Sequence, residues 1–400
     1  MHQTDVRKVF AIILCLLARG ALAFVVTMAV PADAQDPGST VERIADVASL
    51  MKAKGVPGMS VAVIHDYKVA WAKGYGVTEM GGSTSVTPRT LFLAGSISKP
   101  VTALAALALV DAGKLSLDSD VNGSLTSWKI PPNAFTKDQN LTVARILDHT
   151  SGITGGDFFP GYAIDTPVPT LLQVLKGEAP ATNAPVVLTR APGTEWSYSG
   201  NGYLVLQQLL VDSTSDTFPD LVQRLVFVPL GMTQSTFEQP LPSQLALIAA
   251  HGTLIGGKPV PGGWHVQPET AAGGLWTTPT DLAKLAIEIA LESQGKSHGV
   301  LSRSTAHAMI EPHWARGVIN TLGTTDDPDE MGFGFFVGTH HRFGHIGGNV
   351  GYQATMVMFA DSGNGAVIMT NSDIGLHAGN ALLDAIAKVY GWNWVAPPPP

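Results

Sequence analysis

The order of two patterns limits the folds open to this chain. Short runs rich in β-branched residues lie near both ends, and the stretch between them is helical by periodicity. Residues 60–64 and 69–77 read as two antiparallel strands joined by His65-Asp66-Tyr67-Lys68. Near the other end, residues 332–338, 350–360 and 365–370 have the same character, with Asp361-Ser362-Gly363-Asn364 as a hairpin turn. Helical spacing is clearest at residues 96–112, 142–147, 202–212, 218–228 and 280–291. Ser39 followed by Glu42 has a capping-box pattern, and apolar positions then recur until Gly55. A last helix covers residues 376–390. The plan expected is an α/β fold of the α+β type: one antiparallel sheet built from both chain ends (about 39–95 and 330–392), flanked by helices, with a mostly helical lobe (about 96–329) inserted.

Composition supports a large packed core, because only 14% of the 400 residues are charged and 45% are hydrophobic. A net charge of −8 without any Lys/Arg run argues against a nucleic-acid partner. Residues 1–34 have the layout of a signal peptide: Arg7 and Lys8, an apolar run from 9 to 30 broken by Arg19, then Ala32-Asp33-Ala34. Cleavage there starts the mature chain at Gln35, predicts a periplasmic or secreted protein with no stable membrane insertion, and removes Cys15, the only cysteine. An uncleaved anchor is the competing reading, with Arg19 against it. One domain is expected over 35–395, with 396–400 as a proline tail.

Three short motifs can carry chemistry. Ser96-Ile97-Ser98-Lys99 places a hydroxyl and an amine three residues apart at the start of an apolar helix, on one face. The helix N-terminus adds free amides and a positive field. Taken alone, the pair is as compatible with a Ser cap and a solvated Lys. Tyr198, flanked by Ser and Gly before the next helix, can present its phenol to a cleft or pack as a buried aromatic. Gly344-His345-Ile346-Gly347-Gly348-Asn349 leads into a late strand, where small residues would let a ligand lie close.

In this order the motifs closely resemble the serine β-lactamase and penicillin-binding-protein superfamily. The likeness is to its class C branch, which includes class C β-lactamases, D-alanyl-D-alanine carboxypeptidases, D-aminopeptidases and family VIII esterases. Residues 147–152, 273–278 and 344–351 share the likeness, which covers roughly residues 40–390. The resemblance implies that Ser96 is the acylated nucleophile, Lys99 its activator and Tyr198 the general base. It also implies an oxyanion hole from the amides of Ser96 and Gly348. His345, Gly347, Asn201 and Trp276 are the expected substrate contacts, and no cofactor or metal is called for. His345 stands where many relatives carry the Lys of K-T-G, and could bind a substrate carboxylate or support Tyr198, with a protonation that varies near neutral pH.

Two departures bear on substrate. Class C enzymes usually carry Tyr-x-Asn, whereas here Gly200 holds the third position and Asn201 follows it. The K-T-G box has become His345-Ile346-Gly347. Both favour an esterase or D-peptidase over an efficient β-lactamase, with a small ester, amide or D-peptide as substrate. The alternative is a catalytically silent binding or penicillin-sensing protein of the same fold, and the oligomeric state is left open. Gly295-Lys296-Ser297-His298-Gly299 matches a nucleophile elbow but sits in a polar loop, and the 252–258 P-loop match lacks its Ser/Thr. A zinc reading of His340, His341 and His345 lacks helical ligand spacing. Trp196, Tyr203, Trp264, Trp276, Phe158, Phe159 and Tyr162 are expected in loops around the site, either as packing or as an apolar acyl pocket.

Overall fold

A computed structural model describes residues 37–137, 140–156, 158–314 and 329–392, so the leader at 1–34 and the tail at 396–400 lie outside the described residues. The single N-terminal helix expected is two helices, α1 (Pro37–Ala45) and α2 (Val47–Lys54). Asp46 between them is left-handed at φ 40°, and its carboxylate accepts the Ser49 amide to cap α2. Gly55 ends α2 at φ 64°, as its position implies.

Strands β1 (Gly58–His65) and β2 (Lys68–Gly76) are joined by Asp66 and Tyr67, both at positive φ, which makes the link a two-residue hairpin rather than the four-residue one expected. Tyr67 adopts this conformation because it is tied down: its hydroxyl donates to the Ala360 carbonyl at 2.7 Å and its amide to Gly363 at 2.9 Å.

The helices after β2 include α3 (Ser98–Asp111) and α4 (Gly200–Thr214) of the lobe, and then α5 (Pro279–Ser293). Strands β3 (Glu330–Met331), β4 (Phe336–Gly338), β5 (Arg342–Asn349), β6 (Tyr352–Phe359) and β7 (Asn364–Thr370) follow, and α6 (Gly375–Tyr390) closes the fold. The sheet has seven strands in the order β2-β1-β7-β6-β5-β4-β3, every pair antiparallel. The N-terminal β1 therefore pairs with the last strand, from Met59 opposite Thr370 to Ile64 opposite Gly365.

Two strand assignments differ from the pattern. Residues 332–338 do not form one strand, because the chain turns between β3 and β4. The glycine-rich stretch read as leading into a strand is itself β5, paired with β6 from Arg342–Phe359 to Asn349–Tyr352. Glycine lowers local strand preference, and the ladders with β6 along its whole length and with β4 at its start offset that.

Helices α1, α2 and α6 cover one sheet face, burying Val41, Met51, Val61, Val63, Leu382 and Ile386 together. Helix α5 lies on the other face, where Ala62 and Ile64 join the main core. Helix α3 is buried nearly all round, which is why its sequence is apolar without a polar face.

Trp276 belongs to that core. It is fully enclosed, pairs through backbone with Leu93, and packs edge-on against Trp264 and Tyr352 at 5.3 and 5.8 Å. The expectation that it contacts substrate is corrected: its ring has no solvent face. Replacing Trp276 with Ala should cost about 3–5 kcal/mol, the usual range for a buried large aromatic. A thermal melt that hardly moves would show the indole to be dispensable to the core.

Candidate active site

Ser96 sits in a 3-10 turn, Gly95–Ile97, that runs directly into α3. Ser96 in that turn and Lys99 in the first turn of α3 are three residues apart and share one face. Lys99 Nζ donates to Ser96 Oγ at 2.9 Å and to the Ala272 carbonyl at 3.0 Å. It is 1% exposed and lies 4.8 Å from the Tyr198 ring centroid, with the Tyr203 ring at 6.0 Å.

The turn is held by Ser98, whose hydroxyl donates to Gly95 at 2.6 Å and accepts the Leu275 amide at 3.0 Å. Gly95 requires glycine twice over, at φ +54° and with a Cβ that would fall 2.4 Å from the Gly348 amide nitrogen. Opposite it, a Cβ on Gly347 would fall 1.9 Å from the Ala94 carbonyl oxygen and 3.1 Å from the Ser96 nitrogen. Strand β5 thus lies against the Ser96 turn, and the amides of Ser96 and Gly348 come from the two segments in contact. Nothing would meet a Cβ on Gly348 itself, so the space beside it is open.

Tyr198 is presented from a loop just before α4. Its neighbours are both fixed by His149: the Ser197 amide donates to the His149 carbonyl at 2.9 Å and the Ser199 amide to His149 Nδ1 at 3.0 Å. The His149 ring lies against the Tyr198 ring at 4.5 Å between centroids. Local pattern offered no role for His149, because its backbone is left-handed at φ 63° and its partners lie about fifty residues away. Asn201, in the first turn of α4, donates its amide to the Thr154 carbonyl at 3.0 Å.

A model of the family described as Beta-lactamase matches residues 44–390. The chain belongs to the beta-lactamase family. It is 27% identical over 325 residues to "Penicillin-binding protein 4" of Amycolatopsis lactamdurans, covering 80% of this chain and 82% of that protein. It is also 30% identical over 235 residues to "Unguisins hydrolase ungD'" of Aspergillus campestris, where the match covers 55% of this chain and only 41% of the longer fungal protein. Among solved structures, the octameric penicillin-binding protein homologue from Pyrococcus abyssi superposes with a TM-score of 0.71 at 24% identity, over 89% of this chain and 78% of that one. "EstCE1, a hydrolase with promiscuous acyltransferase activity" gives 0.70 at 20% identity, over 89% and 99%. These structural likenesses establish the fold, and the family is one of serine hydrolases.

Within this beta-lactamase family member burial, and after it the charge of Lys99, act on the neighbouring histidines. His345 lies on β5, 1% exposed, with its ring 5.0 Å from Phe336 and 6.1 Å from Tyr198. Burial first, and Lys99 second, push it down to about 3, against the opposing bond it donates from Nδ1 to the Ile346 carbonyl. The expected protonation change near neutral pH is therefore corrected, because a ring sealed from water beside an ammonium stays neutral. The same burial leaves it no exposed cation to offer a carboxylate. His149 is shifted down in the same way, by burial, then by Lys99 and His345.

Other candidates fall away from this cluster. Ser297 donates to Glu288 in the loop after α5. His340 and His341 are exposed on a turn while His345 is buried, and among the described residues no group of three His, Cys, Asp or Glu converges as a metal site would. Tyr203 lies buried within α4, not in a loop, with its hydroxyl donating to Leu147 at 3.2 Å.

The neutral His345 predicts an acid-sensitive difference in stability. An unfolded histidine takes up a proton near 6.5, whereas the folded one holds off until about 3, so stability is complete above 6.5 and drains as pH falls below it. Between pH 7 and 5 the wild type should lose about 2 kcal/mol more than a His345→Gln variant. Equal losses in paired melts would mean that the ring titrates normally.

Proposed function

We propose that this protein is an exported serine hydrolase that cleaves small esters or amides through an acyl-enzyme on Ser96. The observation that carries the reading is the meeting of Ser96 Oγ, Lys99 Nζ and the Tyr198 ring around one buried ammonium. Ser96 Oγ attacks the substrate carbonyl carbon while its proton passes to Tyr198, helped by the charge of Lys99. The carbonyl oxygen becomes an oxyanion facing the amides of Ser96 and Gly348, at the positive end of α3. Collapse expels the leaving group, which takes the proton back from Tyr198. Water then repeats the sequence on the acyl-enzyme and frees Ser96.

Substrate preference follows from what is missing. The His345 ring supplies no fixed positive charge for a substrate carboxylate, and the Asn201 amide is engaged by Thr154. Short-chain esters, D-amino-acid amides and D-peptides suit this site better than β-lactams, which would be weak substrates or inhibitors. Export rests on the sequence of residues 1–34, and among the described residues no helix is long and apolar enough to cross a membrane.

Ser96→Ala should keep the fold and abolish hydrolysis of a nitrophenyl ester. Tyr198→Phe should slow acylation by about 10²- to 10⁴-fold, the span of a lost general base. Intact mass after exposure to an activated ester or penicillin should show an adduct that Ser96→Ala lacks. A Ser96→Ala protein that turns over esters at the wild-type rate removes the reading. Absence of both adduct and turnover in the wild type leaves a binding protein of this fold. A nitrophenyl ester, a chromogenic cephalosporin and a D-alanyl peptide assayed side by side would rank the substrate classes.

A further inference from the structure

Beside the catalytic cluster lies a cleft of about 390 Å³, large enough for a small organic group. Its lining includes Thr154, Phe158, Phe159, Tyr162, Asn201 and Glu269. Among the described lining residues, Glu269 alone carries a formal charge. Two of its lining residues belong to segments that also build the active site. Asn201 follows Tyr198 by three residues, and Glu269 immediately precedes the helical turn Thr270–Gly273, whose Ala272 carbonyl accepts Lys99.

Glu269 is 4% exposed, and its Oε2 has no hydrogen-bond partner. Nor is it the only such group. The Gln267 side-chain oxygen and nitrogen and the Thr270 hydroxyl are also buried without partners, and Gln267 lies directly behind Gly161 in the cleft wall. Native interiors leave few polar groups unsatisfied, so four such atoms on Gln267, Glu269 and Thr270, with Glu269 itself lining the cleft, mark a place where a polar ligand belongs. A buried carboxylate is stabilised most by a cation, and the rings of Phe158, Phe159 and Tyr162 offer the π-faces that also favour one. Desolvation pushes the Glu269 carboxyl up to about 7, which is the behaviour of an acid lacking its counter-ion.

We infer that this cleft is a subsite for a positively charged amine on the substrate, with Glu269 as its counter-ion. The inference deepens the proposed hydrolase, on whose active site its placement rests. Substrates would then be esters or amides that carry a primary ammonium within reach of the Ser96 carbonyl position. Glu269 supplies the acid, and Phe158, Phe159 and Tyr162 the aromatic rings.

Benzylamine, protonated at neutral pH, and benzyl alcohol, its neutral analogue, are the probes. Calorimetry on the full chain should give the ammonium about tenfold tighter binding or more, the factor worth 1.4 kcal/mol. The ammonium should also compete with p-nitrophenyl acetate. In Glu269→Gln, a neutral isostere, the two probes should bind within about twofold of each other. Equal affinity of the wild type for both probes overturns the subsite without reference to any variant. So does a charge preference that survives in folded Glu269→Gln, or inhibition that is not competitive. If p-nitrophenyl acetate is not hydrolysed at all, the hydrolase reading fails, and calorimetry still decides the subsite.

Discussion

Everything at the centre of this molecule depends on a backbone contact too close for any side chain. The turn before α3 and strand β5 approach until a Cβ on Gly95 would lie 2.4 Å from the Gly348 nitrogen, and one on Gly347 would lie 1.9 Å from the Ala94 oxygen. Such an approach needs two rigid partners. One is α3, enclosed by the lobe. The other is the sheet, completed where β1, from the start of the chain, pairs with β7 near its end. The glycines do not cause the sheet. They permit the Ser96 turn to be seated against it, and so determine where the Ser96 and Gly348 amides lie.

A second constraint follows from burying Lys99. An ammonium removed from water is costly unless it is surrounded by acceptors, and here those are Ser96 Oγ, the Ala272 carbonyl and the faces of Tyr198 and Tyr203. Its charge then acts on whatever is packed nearby. His149 and His345, both sealed from solvent, are held neutral, and each does structural work in that form. Neutral His149 accepts the Ser199 amide and so fixes the loop that presents Tyr198. Burial first, and this one cation second, thus keep the two rings packed nearest Tyr198 neutral.

The sequence by itself determined the pieces. Periodicity located α3, α5 and α6, the β1–β2 and β6–β7 hairpins, and the end of α2 at Gly55, because these features are written in spacing and turn residues a few positions apart. Ser96-Ile97-Ser98-Lys99 and Tyr198 were visible for the same reason, since each motif is local. Tertiary structure alone decided the rest. It made a strand of Arg342–Asn349, whose glycines argue against one until β6 pairs with it. It turned Trp276 into core, split α1 from α2 at left-handed Asp46, and gave His345 a neutral ring. It also placed Glu269, some 170 residues from Ser96 along the chain, in the wall of a cleft and just before the turn whose Ala272 carbonyl accepts Lys99. The division has a physical cause. Backbone conformation and hydrophobic periodicity act over a turn or a strand, whereas burial, proton affinity and the meeting of side chains depend on neighbours that only the folded chain supplies.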